Sequence, residues 1–197
     1  MEPSVLGTKY DKIARWWNDR HFNSDYGVKQ FQKALNFAPK TGKALDVGCG
    51  AGGRFIRLLQ NHGFRITGID VSREMIKLAK QNHRNETFHV QDICTWETDQ
   101  KFEFIVAWDS IFHLPFVSQE PVVTKLCNLL TKDGVLIYTF GDAYGENDDQ
   151  WHNDTFHYSS IGINGNLEVM AKNSVTCKHL ELDQWPYNHV FVIGVKS

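Results

Sequence analysis

Three short runs in the first half of the 197-residue chain each carry one acid: Asp46-Val47-Gly48-Cys49-Gly50, Gly68-Ile69-Asp70-Val71-Ser72 and Gln91-Asp92-Ile93. Each acid closes an apolar run of strand character, so a parallel sheet would bring all three carboxylates to its carboxyl edge, where open α/β sheets bind ligands. After the first of them the glycines let the backbone bend tightly and let a ligand approach with no Cβ in the way. Gly48, Gly50 and Gly53 also satisfy the dinucleotide spacing G-x-G-x-x-G. Asp46 argues for a different ligand, since a carboxylate just before the first glycine repels a pyrophosphate and attracts the cationic end of an amino acid. Asp70 stands about 20 residues beyond the glycines, the spacing at which an acid accepts from ribose hydroxyls.

Asp46-Val47-Gly48-Cys49-Gly50 resembles motif I of the class I, Rossmann-like S-adenosylmethionine-dependent methyltransferases of small-molecule type. The resemblance implies that Gly48, Cys49 and Gly50 contact the methionine portion of S-adenosylmethionine and that Asp46 positions it by hydrogen bonding. It further implies that Asp70 holds the ribose, that Val71 and Met75 pack on adenine, and that Asp92 accepts from the adenine amino group. Ile93 and Trp108 complete the expected cofactor set. Phe104 to Pro115 is similar to motif IV and the loop after it, which in the family often ends in a histidine near the methyl group. It lacks the Asn/Asp-Pro-Pro-Tyr/Phe tetrapeptide of enzymes that methylate exocyclic amines of nucleic acid bases.

The implied activity is in-line transfer of a methyl group to a small-molecule acceptor, for which the protein mainly aligns the nucleophile and excludes water. Where a base is needed, His113 is the first candidate, with His157 and His152 behind it. Tyr10, Trp16, Trp17, Trp151 and Tyr158 either wall an acceptor pocket or pack the N-terminal helices, and the helical spacing of Trp17 favours packing. His152, His157, Asp148, Asp149 and Asp154 fit no metal-binding spacing, so no metal is expected. Two rival readings are an NAD(P)-dependent oxidoreductase, supported by the glycine spacing, and a non-catalytic S-adenosylmethionine-binding protein.

The elements that must position these residues follow from hydrophobic period. Strands are expected at 44–47, 65–70, 87–91, 104–108, 135–140, 176–183 and 189–195, and helices at 54–62, 72–82 and 118–130. Ser72 reads as an N-cap, Gly63 as a C-cap and Lys132-Asp133-Gly134 as a turn. The last two strands resemble an antiparallel hairpin about Pro186-Tyr187-Asn188, where a dehydrogenase would continue with parallel units. These elements make an α/β fold with an N-terminal helical extension, and the resemblance to the methyltransferases implies a Rossmann-like three-layer sandwich with a mixed seven-stranded sheet of order 3-2-1-4-5-7-6, last strand antiparallel. One domain is expected over 1–197, with 1–40 as a helical cap on a 41–197 core. The polar, aromatic stretch from Gly141 to Tyr158 reads as a long functional loop.

A formal charge of -2 with scattered Lys and Arg gives no electrostatic pull toward phosphate backbones or anionic lipid, so neither nucleic acid nor membrane is an expected partner. Cys49, Cys94, Cys127 and Cys177 are too far apart for a zinc or disulfide motif. With no secretory signal in Met1-Glu2-Pro3-Ser4 and no apolar span, the expected location is cytoplasmic. Oligomeric state is left open.

Overall fold

The chain forms α1 (Pro3–His21), α2 (Val28–Leu35), β1 (Gly42–Val47), α3 (Arg54–His62), β2 (Phe64–Asp70), α4 (Arg73–Asn82), β3 (Thr87–Val90), β4 (Phe102–Ala107), α5 (Gln119–Leu129), β5 (Leu130–Gly141), β6 (Tyr144–Trp151), β7 (Asp154–Ile161), α6 (Gly162–Lys172), β8 (Val175–Leu182) and β9 (His189–Lys196). The computed structural model describes every residue except Trp185 and Tyr187. Seven strands make one sheet in the order β3-β2-β1-β4-β5-β9-β8. Setting aside the separate β6–β7 ribbon, β8 and β9 are the sixth and seventh strands of this sheet, so the arrangement is the expected 3-2-1-4-5-7-6. β9 runs against both of its neighbours, β5 and β8. Of the Pro186-Tyr187-Asn188 turn expected between the last two strands, Tyr187 lies outside the described residues.

Alternation along the strands divides the core in two. Leu45, Val47, Ile105, Ala107, Leu136 and Tyr138 pack under α5 and α6. Ala44, Phe104, Val106, Val135 and Ile137 face the other way, toward Phe31 of α2, Ile56 of α3 and Ile76 of α4. Burying each such large side chain contributes about 1.5–3 kcal/mol, which fixes the sheet as a rigid platform for its carboxyl edge. The punctuation also forms as expected: the Ser72 hydroxyl accepts from the Met75 N–H at 3.1 Å, and Gly63 ends α3 at φ 100°. Asp133 sits at φ 61°, but the Lys132-Asp133-Gly134 bend lies inside β5 rather than before it.

The segment expected as a loop is instead a β-ribbon with a helix behind it. β6 pairs with β7 from Tyr144↔Ile161 to Trp151↔Asp154. His152 and Asn153 form its two-residue turn at φ 50° and 59°, the doubly left-handed geometry that tight hairpins require and that Asn tolerates. β6 is exposed along most of its length, so it carries no apolar alternation for a periodicity reading to detect. Helix α6 was hidden by two glycines, which are poor helix formers. Its stability comes from packing and from Asn166, which donates to the Gly162 carbonyl at 2.8 Å and accepts from the Tyr138 hydroxyl at 3.0 Å.

Helix α1 lies across the carboxyl edge of the sheet. Gly7 lets it seat there, because a Cβ on Gly7 would stand 2.5 Å from the Val71 carbonyl oxygen. Gly7→Ala gains about 1 kcal/mol of helix propensity but must displace backbone, an overpacking cost of about 1–3 kcal/mol. The expected net result is a lower thermal midpoint together with weaker ligand binding beneath α1. A midpoint equal to or above the parent's would show that α1 is not seated on Val71.

Candidate active site

The glycine turn after β1 is stapled to its neighbour strand, with Gly48 N–H and Cys49 N–H both donating to the Ile69 carbonyl at 2.8 and 3.1 Å. Gly48 (φ 72°) admits no side chain, since a Cβ there would lie 2.3 Å from Ser110 Cβ. Asp70, at the end of β2, ties the turn to α4: Oδ2 accepts from Gly50 N–H at 2.9 Å and Oδ1 from Ser72 N–H at 2.8 Å. Asp92 follows β3 and accepts from Cys94 N–H at 2.8 Å. The structure brings all ten sequence-predicted cofactor residues, Asp46, Gly48, Cys49, Gly50, Asp70, Val71, Met75, Asp92, Ile93 and Trp108, to the wall of one cavity.

The cavity is electrostatically tense. Burial, followed by the charge of Asp70, pushes the Asp46 carboxyl up to about 7, with only partial relief from Arg54. Burial raises Asp70 to about 6, although the N–H bonds from Ser72 and Gly50 favour its charged form. Burial and the neighbouring Asp46 also keep the Cys49 thiol protonated. Carboxylates held this way gain from a ligand that donates hydrogen bonds or brings positive charge.

A second cavity opens between α1, the β6–β7 ribbon and the start of β9. Tyr10, Trp17, Asp109 and His113 line both cavities, so these four residues form the wall where the two meet. Trp17 packs as its helical spacing suggests, against Ala14, Ala51 and Met75, and its ring, stacked on His21 at 4.0 Å between centroids, also borders both cavities. Lys9 and Lys12 of α1 reach Asp154 of the ribbon at 2.7 and 3.1 Å and hold its carboxyl down to about 2, tying roof to ribbon.

His113 ends a short 3-10 turn (Ile111–His113) and is buried. Its Nδ1 lies 2.8 Å from the His157 carbonyl. A carbonyl only accepts, so Nδ1 carries the proton and Nε2 the lone pair. That lone pair meets the Tyr10 hydroxyl at 3.1 Å, which places the hydroxyl as donor. Burial, the dominant influence, pulls His113 down to about 4, so it is neutral near pH 7. The His157 ring is not brought to either cavity. It pairs with Asp148 at 2.8 Å on the ribbon, and only its carbonyl reaches His113. His152, at the ribbon turn, is exposed beside Trp16. Among the described residues, no three His, Cys, Asp or Glu side chains converge as a metal set would.

Sequence reasoning missed Asp109, Tyr26, Arg54 and His189. Asp109 was visible in principle as a fourth acid just beyond a strand end, following β4 as Asp92 follows β3. It stands at φ 49°, a left-handed conformation that concentrates at functional sites. Its N–H donates to Thr139 Oγ1 at 2.8 Å, and its Oδ1 accepts from His189 Nε2 at 2.9 Å. The other ring nitrogen of His189 donates to Asp183 at 2.5 Å. Burial opposes a charge on His189, but the Asp109 and Asp183 carboxylates outweigh it and raise its affinity for the proton.

Among known proteins, the family model for a methyltransferase domain matches residues 19–187. The ubiquinone biosynthesis O-methyltransferase of Coxiella burnetii (strain Dugway 5J108-111) is 30% identical over 152 residues, 68% of this chain and 62% of that protein. The chain thus spans less than two thirds of that relative's length. Phosphoethanolamine N-methyltransferase 2 of Caenorhabditis elegans is 28% identical over 134 residues, 64% of this chain and 30% of that one. In structure, the chain is similar to magnesium protoporphyrin IX methyltransferase from Synechocystis PCC 6803 with bound SAH (TM-score 0.73, 16% identity, 100% of both chains). It is also similar to 1,6-didemethyltoxoflavin-N1-methyltransferase from Burkholderia thailandensis (TM-score 0.72, 15% identity, 98% of this chain and 88% of that one). At such identities the structural likeness shows the fold.

Proposed function

This chain belongs to the methyltransferase-domain family, and from that premise we propose that it moves a methyl group from S-adenosylmethionine to a small-molecule acceptor. The observation that carries the reading is the ring of strand-end carboxylates Asp46, Asp70 and Asp92 around one cavity behind a glycine turn. The residues fit that cofactor. Gly48 (φ 72°) and Gly50 (φ 54°) bend the turn so that its backbone lines the cavity, and Asp46, buried and reluctantly charged, suits a cationic amino acid end. Asp70 has acceptor capacity left on both oxygens for ribose hydroxyls, as Asp92 has for an exocyclic amine. Bound there, the cofactor would supply a methyl carbon already activated by a sulfonium leaving group.

The remaining work falls to the shared wall. Tyr10, Trp17 and the roof helix exclude water, and Asp109 and His113 orient the acceptor. His113 Nε2 offers a lone pair to an acceptor N–H or O–H once the Tyr10 hydroxyl gives way to it. Held near 4, this histidine orients and accepts a hydrogen bond rather than storing a proton. Residues 1–40 serve as the cap and 41–197 as the core. No helix is long and apolar enough to cross a membrane among the described residues, and a cytoplasmic enzyme with no nucleic acid partner is in keeping with the weak net charge.

The nicotinamide reading loses its support, because a pyrophosphate at the glycine turn would lie against the Asp46 carboxylate and the family match points elsewhere. The non-catalytic reading leaves the second cavity without a purpose. Calorimetric titration separates the three. Micromolar binding of S-adenosylhomocysteine, no binding of NAD, and release of S-adenosylhomocysteine when S-adenosylmethionine is incubated with acceptors are the expected results. Binding of NAD in preference to S-adenosylhomocysteine would reverse the assignment.

A further inference from the structure

The second cavity has a chemical bias of its own. Its carboxylates are Asp109 on the shared wall and Glu146 and Asp149 on the ribbon, and no Lys or Arg lines it among the described residues. Of the nearby cations Lys9 is tied to the ribbon, whereas the charge of Arg54 acts on Asp109 from the side of the first cavity. Lys9 is held by Asp154 and the Thr155 carbonyl, and Arg54 bonds the Tyr26 carbonyl while lining the other cavity. The remaining wall is aromatic, chiefly Tyr10, Trp17, Tyr26, Phe112, Trp151 and Tyr158. Ring faces attract cations and cover apolar bodies, and they give nothing to an anionic headgroup.

Resting on the methyltransferase reading, we propose that the acceptor is an amine, bound as its ammonium against Asp109, with an apolar body against the aromatic wall. Asp109 is the one carboxylate, among the described residues, that borders both cavities, so an ammonium anchored there stands beside the methyl donor. Its side-chain bonds from His189 and Thr139 both fall on Oδ1 (2.9 and 3.3 Å), and even with the Tyr26 hydroxyl also facing it the carboxylate keeps a lone pair for the acceptor. His189 also leans on Asp183, so the carboxylates outnumber the imidazole between them, with Arg54 as the balancing cation on the side of the first cavity. A phosphorylated or carboxylated acceptor would find no Lys or Arg among the described residues of this wall and would face its three carboxylates. In the reacting form one proton has left the nitrogen for solvent. The nitrogen lone pair then bonds to the methyl carbon while the carbon–sulfur pair returns to sulfur, leaving a methylated ammonium and a neutral thioether.

The test is calorimetry on the full chain saturated with S-adenosylhomocysteine, using probes that share a body and differ in headgroup. Benzylamine, phenethylamine and tryptamine are set against their alcohols and carboxylates. The best amine is expected to bind at least ~10-fold more tightly than its alcohol, with its carboxylate weakest, in keeping with a charge-assisted bond. Asp109→Asn should bring amine and alcohol level, and should this variant fail to fold, Glu146→Gln at an exposed ribbon position should reduce the preference in part. Alcohol or carboxylate binding as tightly as amine, or no amine binding at all while S-adenosylhomocysteine binds, overturns the proposal and leaves the methyltransferase reading standing. Failure of S-adenosylhomocysteine itself to bind removes both.

Discussion

Asp70→Ala is expected to weaken S-adenosylhomocysteine binding by ~10- to 100-fold, the equivalent of losing one or two hydrogen bonds to a charged acceptor. The fold should survive. Asp70 does hold the Gly50 and Ser72 N–H groups, but those face a cavity that water can enter, and the variant also discards a carboxyl that the fold holds in its charged form reluctantly. Asp46→Asn should behave more sharply. With its carboxyl raised from 3.8 to about 7, Asp46 favours the folded state when protonated. That contribution is fully present below about pH 4 and is lost as pH rises through about 7. Removing the charge should therefore raise the thermal midpoint of the ligand-free protein at about pH 8 by several degrees, with the gain shrinking toward about pH 5. The same change should abolish most cofactor binding. A midpoint shift independent of pH, or unchanged affinity in both variants, would remove these carboxylates from the site.

The same linkage gives the parent protein a signature. A ligand that needs Asp46 and Asp70 ionised must expel whatever protons they hold, so its affinity should fall as pH drops below about 7 and again below about 6. Titration at about pH 6.5 in buffers of different ionisation enthalpy should show net proton release on binding. Proton uptake would mean that the ligand prefers the neutral carboxyls.

The cofactor side of the site was legible because it is built from local signals. A strand, a glycine turn and an acid at a fixed offset lie together in sequence, and parallel pairing such as Asp46↔Gly68 needs only the strands to be found. The acceptor side is assembled from distant pieces: Tyr10 from α1, Asp109 after β4, the ribbon and His189 at the start of β9. No spacing rule joins these. The ribbon is the clearest loss, because β6 is polar on both faces and its order comes from backbone pairing with β7, which leaves no trace in hydrophobic period. Trp17 shows a related limit. Helical spacing says that this face of α1 turns inward to pack, but not that the same ring also borders two cavities, which depends on what lies opposite.

His113→Leu is expected to lower kcat by about 10- to 100-fold while S-adenosylhomocysteine affinity changes little, the size of loss that follows from misplacing a nucleophile. Nδ1 is committed to the His157 carbonyl, so Nε2 is the only lone pair the ring can offer, and it points at Tyr10 on the shared wall. His113→Asn, which can still accept a hydrogen bond there, should retain more activity than His113→Leu. Held near 4, the ring stays neutral through the range in which the cofactor carboxylates titrate. With cofactor saturating, kcat should therefore show no acid limb from His113 until about pH 4–5, in contrast to kcat/KM for the cofactor, which falls earlier through Asp46 and Asp70. Tyr10→Phe removes the donor that stabilises the neutral ring and should move the His113 limb upward. A kcat unaffected by His113→Leu would end this role and leave His113 as a buried strut between α1 and the ribbon.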